Sequence, residues 1–176
     1  MATSGTTAFN LNIDEIIDEG FERCGISTAS GYDLRSARRS LDLLFAEWGN
    51  RGIHLWKVAL HENALVSGQA EYSVSAGVSD VLEAFVSSTA ASSDSSSTQD
   101  VSLTKIDRST YAAFYGCLAT GQPSQYYVSR ETTPKIYLYQ APDLNTYTTL
   151  KYYVIKRIED AGAYTNDADV AYRFLP

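Results

Sequence analysis

The chain has 176 residues, 44% hydrophobic and 20% charged, a globular composition sufficient for one compact domain or two small ones. Acidic residues outnumber basic ones 21 to 14, for a formal net charge of −7; such a surface repels phosphate and argues against duplex-groove readers and polybasic membrane binders. No run approaches the roughly 18 apolar residues of a spanning helix, and Met1 to Thr7 has neither the basic nor the apolar region of a secretory leader.

The first helix is expected to start at Asn12, with Glu15 three residues on completing a capping box. Ile13, Ile16, Ile17, Phe21 and Cys24 recur at helical spacing, and Gly25 sits where a C′ glycine stops the helix. A second helix is expected from Ser30, with Asp33 as its N3 partner, an apolar stripe of Leu34, Ala37, Leu41, Leu44, Phe45 and Trp48, and Gly49 and Gly52 closing it. The short polar connection implies an antiparallel pair. Arg35, Arg38 and Arg39 lie mostly off the stripe; they either seat a phosphate or a partner's carboxylate or form a solvated helix edge.

From Ile53 the period changes to that of strands, with Trp56, Val58 and Leu60 expected on the buried side. Further strands are expected at Tyr72 and Val74, at Val81 to Val86, and at Val101 and Leu103. Between them, 9 of the 12 residues 87–98 are Ser or Thr, which reads as a loop that cannot bury enough apolar area to order itself. Ser109 is a candidate cap for a short helix carrying Tyr111, Phe114, Tyr115 and Leu118 and ended by Gly121. Strands follow over Tyr126 to Arg130, Lys135 to Tyr139 and Thr146 to Ile158, with turns at Thr133-Pro134 and Ala141-Pro142-Asp143.

The expected fold is therefore α+β. Residues 10–50 supply an antiparallel helix pair, and residues 53–160 an antiparallel β-meander, either a small sandwich or an open barrel. In residues 161–176, Asn166-Asp167-Ala168-Asp169 resembles a helix cap, and Val170, Tyr172, Phe174 and Leu175 begin an apolar stripe. That stripe is either a tail packed on the sheet or the start of a C-terminal helix that continues in the natural polypeptide.

Catalytic signatures are missing from the sequence. It has no G-x-S-x-G elbow, Walker loop, G-x-G-x-x-G or H-E-x-x-H. Cys24 and Cys117 are too few for a disulfide framework or a zinc site, so both are expected as reduced thiols of a soluble, cytosol-made chain. His54 and His61 have no Cys or acidic neighbour at metal spacing except Glu62, and the carboxylate pairs Asp14-Glu15, Asp18-Glu19 and Glu159-Asp160 suit solvated helix and linker positions. Neither a cofactor nor a metal is expected. Binding or assembly is the expected role, and not catalysis.

Charge and tyrosine are unevenly spread. Residues 1–50 and 51–100 each carry net −4, residues 101–176 carry net +1, and 11 of 13 tyrosines lie from Tyr111 onward. The order of features suggests a family. Tyr32-Asp33-Leu34 leads through Ala37, Leu41 and Leu44 to Trp48, Arg51-Gly52-Ile53 and Trp56. Ile106 to Tyr111 then precedes Gly121-Gln122-Pro123-Ser124-Gln125-Tyr126-Tyr127, Lys135-Ile136-Tyr137-Leu138-Tyr139-Gln140-Ala141-Pro142-Asp143 and Leu150-Lys151-Tyr152-Tyr153. Over about residues 10–176 this resembles the head-to-tail adaptor of short-tailed bacteriophages, also called tail tubular protein A.

The resemblance implies a virion protein without catalytic residues, made in the host cytoplasm. Many copies would form a ring, dodecameric like the portal above it, that continues the DNA channel and docks the tail nozzle. The implied partners are further copies, the portal, the nozzle and genomic DNA passing without sequence-specific contact; no membrane is involved. Such adaptors continue past the position of Phe174-Leu175-Pro176 into more helices. An acidic lining suits a DNA duct, because basic residues facing the duplex would brake it. Arg35, Arg38, Arg39, Trp48, Trp56, Tyr126, Tyr137, Tyr139, Phe174 and Leu175 are the candidate partner-interface residues. The competing reading is a carbohydrate- or receptor-binding β module of a virion, with a sugar stacked on Tyr126 or Tyr137.

Overall fold

The computed structural model describes residues 12–26, 30–53, 55–75, 77–88, 99–114, 119–131, 133–163 and 165–170. The protein is α+β, and its chain divides into two units: Met1–Trp56 with Arg157–Pro176, and Lys57–Lys156. The second unit begins and ends a few residues inside the expected 53–160. The residues after it belong with the helices and do not form a separate piece.

The first unit carries α1 (Ile13–Arg23) and α2 (Gly31–Asn50). Both begin as their sequences dictate. The Asn12 amide donates to Glu15 Oε2 at 3.0 Å, and Ser30 and Asp33 exchange bonds, Asp33 N–H to Ser30 Oγ at 3.3 Å and Ser30 N–H to Asp33 Oδ2 at 3.0 Å. Each stops two residues before a left-handed glycine, Gly25 at φ +76° and Gly52 at φ +77°, a conformation that glycine takes without strain. Gly49 lies inside α2 and is not its end.

Ile13, Ile17 and Ala161 form the buried centre of this unit, with Phe21, Leu34, Ala37 and Leu41 packed around them. Ala161 N–H donates to Asp42 Oδ1 at 2.7 Å, and Ile13 N–H to the Asn166 carbonyl at 3.0 Å. The expected helix cap at Asn166 to Asp169 does not form: residues 165–170 are turn and bend, with Asp167 in an antiparallel bridge to Asn12. Asp169 is committed elsewhere, its carboxylate taking the Glu159 amide at 2.9 Å and its carbonyl the Trp56 indole N–H at 3.1 Å. Phe174 and Leu175 lie outside the described residues.

The second unit contains ten short strands and one helix among the described residues. Its first sheet runs in the order β1 (Val58–Ala64), β10 (Thr149–Lys156), β3 (Val78–Ser87), β4 (Asp100–Ser102), all antiparallel. The second runs β2 (Glu71–Ser73), β8 (Lys135–Tyr139), β7 (Gln125–Ser129), β5 (Thr104–Ile106), with β5 parallel to β7. A parallel pair, β6 (Thr120–Gly121) with β9 (Ala141–Pro142), occupies the expected Ala141-Pro142-Asp143 turn. Buried residues of both sheets share one core, led by Tyr126, Tyr152, Ile136, Leu138 and Leu150.

This is not the sequential meander that the spacing suggested. β10 lies between β1 and β3 because its alternate residues Leu150, Tyr152 and Val154 are all fully buried, which suits a central strand. Alternation reveals a strand's buried face, but not its neighbours. The same packing reverses β1. Tyr152 faces the core, so its partner His61 does too, together with Ala59 and Asn63, while Val58 and Leu60 face outward. Trp56 precedes the strand, in a 3₁₀ turn over Leu55–Lys57. The Ser/Thr-rich 87–98 is described only at Ser87, which ends β3, and Ser88; the rest lies outside the described residues, as do Cys117 and His54.

The helix of this unit, α3 (Arg108–Ala113), is capped by Asp107, two residues before the expected Ser109: the Thr110 amide donates to Asp107 Oδ1 at 2.8 Å. It ends at Ala113, with Phe114 already extended, well before Gly121, and Tyr115 and Leu118 lie outside the described residues.

Hydrogen bonds from Ser30 and from Thr110 hold the Asp33 and Asp107 carboxyls below the usual range, and bonds from Ser87 and Lys151 do the same for Asp100. A carboxyl whose folded pKa is depressed stabilises the fold above its unfolded value, about 3.9, and loses that contribution as pH falls through the folded value. Stability measured by circular dichroism is therefore expected to hold down to about pH 4 and to fall steadily below it. Ser30→Ala is expected to lower stability at neutral pH by about 1 kcal/mol and to flatten the acid limb of the first unit.

Candidate functional site

Three surfaces stand out, each within one unit. The first is the outer face of the β1-β10-β3 sheet. Leu60 pairs with Tyr153, and a register shift at Tyr153/Val154 leaves Leu82 as an extra residue on β3. Leu60 is 46%, Leu82 42%, Val58 41% and Tyr153 39% exposed, side by side, and Tyr153 meets Phe85 edge-on with centroids 6.2 Å apart. Glu62, Glu83 and Lys151 lie on the same face, with Lys151 Nζ donating to Asp100 Oδ1 at 3.2 Å. This surface was missed in the sequence because Val58 and Leu60 read as inward-facing; the signal was Tyr152, whose bulk and apolar neighbours on β10 fix the register.

The second surface lies on the other face of the β8-β7 pair from the core. Tyr127 and Tyr137 are direct cross-strand partners there, and Tyr111 of α3 meets both, all three centroid separations being 5.8 Å. Phe114 stacks on Tyr139 at 4.3 Å. This aromatic layer fixes α3 to the sheet. Beside it opens a cleft of about 520 Å³ lined by Arg108, Tyr111, Ala112, Tyr127, Ser129, Arg130, Glu131 and Tyr137. Ser129 Oγ donates to Glu131 Oε1 at 2.8 Å, and Arg130 Nη2 to Asp80 Oδ2 at 2.8 Å. Asp80 also receives Lys105 Nζ, at 3.3 Å.

The third surface is an apolar groove of about 340 Å³ between α1 and α2, floored by Ile16, Phe21, Ala37 and Leu41 with the exposed thiol of Cys24 at its edge.

Of the expected interface residues that the structure describes, only Tyr137 and Tyr139 belong to these surfaces. Arg35 and Arg39 are exposed on α2, Arg35 donating to the Gly31 carbonyl at 3.1 Å, while Arg38 is half-buried. Trp48 is half-buried against Phe45, centroids 5.9 Å apart, and Trp56 is held by Asp169. Tyr137 and Tyr139 do reach the outer face of their sheet. Tyr126 does not: it is 1% exposed, and its hydroxyl donates to the Leu82 carbonyl at 3.1 Å, so it serves the core and the bulge. The tyrosines at 126-127 and 152-153 split as alternation requires, with Tyr127 and Tyr153 as the outward members.

Burial, aided by the negative charges of Asp80 and Glu83, pushes the Tyr126 hydroxyl up to about 12. A folded pKa above the unfolded value, about 10, leaves the stabilisation intact below pH 10 and removes it as pH rises through 12. Burial raises the Tyr72 and Tyr152 hydroxyls too; following phenolate absorbance, the late-ionising group of tyrosines is expected to lose one member in Tyr126→Phe. His61 is shifted the opposite way, downward, by burial and by Lys156.

Among the described residues no three His, Cys, Asp or Glu side chains are grouped to hold a metal ion, and no helix is long and apolar enough to cross a membrane. Compared with models of known protein families and with curated proteins, the chain matches none.

Proposed function

We propose that this chain is a structural virion protein, a head-to-tail adaptor whose copies form a ring below a portal, continue the DNA channel and dock a tail nozzle. The observation that carries the reading is the exposed apolar strip Val58, Leu60, Leu82 and Tyr153. A sheet that leaves adjoining leucine, valine and tyrosine side chains in water gains free energy when another protein surface covers them. Glu62, Glu83 and Lys151 on the same face give such a contact a polar rim. The acidic balance of −7 supports the channel role, since a ring of such copies repels the phosphates passing through it. The order of sequence motifs from the capped helices to the Tyr-rich strands supports it as well.

The experiment is native mass measurement and particle imaging of the purified chain, alone and with the portal of the same virion, together with gold labelling of whole particles. A closed ring and label at a single vertex are expected. A chain that stays monomeric at all concentrations, ignores the portal and labels no vertex overturns the reading.

A further inference from the structure

The cleft between α3 and the end of the β7-β8 pair has no part in ring formation as proposed above, yet its walls are chemically specific. Its volume, about 520 Å³, falls within the range of small-ligand sites, about 300 to 1,000 Å³. Two guanidiniums and one carboxylate line it, but the cations are not equivalent. Arg130 is already bonded to Asp80, whereas Arg108 is exposed and has no carboxylate within ion-pairing distance among the described residues. One uncompensated guanidinium favours a single carboxylate, which it can grip with two parallel bonds. Glu131 stands in the same cleft with Oε1 taken by Ser129, leaving Oε2 to accept hydroxyl protons and to repel a doubly charged phosphate. The tyrosine wall adds flat apolar surface and phenol groups. A ligand complementary to all of these has one negative charge, several hydroxyls and an apolar ring face.

We propose that this cleft binds an acidic sugar, a pyranose bearing one carboxylate. The carboxylate lies on Arg108, the ring hydroxyls on Glu131 and Ser129, and the C–H face of the ring against the tyrosine wall. Phosphorylated ligands and neutral sugars each match only part of the cleft, a free amino acid competes through its ammonium for Glu131, and all three serve as the contrasting arms of the test.

The test is a titration of the purified chain, followed by tyrosine fluorescence and amide chemical shifts. Sodium glucuronate is the probe; glucose, acetate, glycine and a nucleoside monophosphate are the comparisons. Glucuronate is expected to saturate with a millimolar dissociation constant, each comparison binding about tenfold or more weakly. Arg108→Met is expected to weaken glucuronate about tenfold and leave the melting temperature unchanged, while Arg108→Lys, which keeps the charge but loses the fork, recovers part of the affinity. The proposal is overturned if glucuronate fails to saturate, if acetate, glycine or the nucleotide binds as well, or if Arg108→Met binds glucuronate like the parent. Ring formation is read separately by mass, so failure here leaves the adaptor reading standing, and the reverse holds too.

Discussion

Tyr126→Ala is expected to lower the stability of the β unit by about 3 to 5 kcal/mol, the range for removing a large buried aromatic ring. Few other single positions hold so much. The ring is fully buried among residues of both sheets, and its hydroxyl reaches across to the Leu82 carbonyl at the β3 register shift. The substitution therefore opens a cavity and also leaves that carbonyl without its donor. Tyr126→Phe separates the two effects: it keeps the packing and is expected to lose only about 1 kcal/mol. Urea unfolding followed by near-ultraviolet circular dichroism measures both. A change below about 1 kcal/mol for the alanine variant would mean that the ring is not a core member.

The second large effect concerns assembly. Leu60→Asp places a carboxylate in the middle of the exposed apolar strip, opposite Tyr153. Because Leu60 already stands in water, the isolated chain is expected to keep its stability within about 0.5 kcal/mol. Self-association should suffer far more, since a charge buried at a contact without a partner weakens binding roughly a hundredfold or more. Analytical ultracentrifugation of the variant against the parent decides this, with Gln122→Asp, on an exposed loop outside the strip, as the control. Equal association of Leu60→Asp and the parent would remove this face from the contact.

Much of the fold could be read from the sequence because local chemistry fixes local structure. The α1 and α2 starts at Asn12 and Ser30 depend on side chains three residues apart, and their ends on Gly25 and Gly52, all visible in a single line of sequence. Strand positions at Lys135–Tyr139 and around Tyr126 followed from alternation. What could not be read is long-range. The parallel pairing of β5 with β7 and the placement of β10 between β1 and β3 join residues about 20 to 100 positions apart, and neighbouring side chains carry no trace of that. The β1 face was misread for the same reason: Val58 and Leu60 are the more apolar members of the strand, but Tyr152 on the partner decides which side turns inward.

The candidate surfaces divide in the same way. Tyr126, Tyr137 and Tyr139 were all read as partner-interface candidates, and only the last two face away from the core, whereas the Arg108 and Glu131 cleft depends on a short helix folding back over a strand. Asp107, a capping carboxylate immediately before Arg108, was the available clue to where that helix begins.

The register Val58↔Ile155 has an architectural consequence. The chain enters the β unit beside the point where it leaves, on adjacent antiparallel strands whose α-carbons stand about 5 Å apart. In chain order, the whole of Lys57–Lys156 is thus an insertion between the two segments that make up the helical unit, closed at its own base. Excising that stretch leaves two chain ends close enough for a short turn to join them.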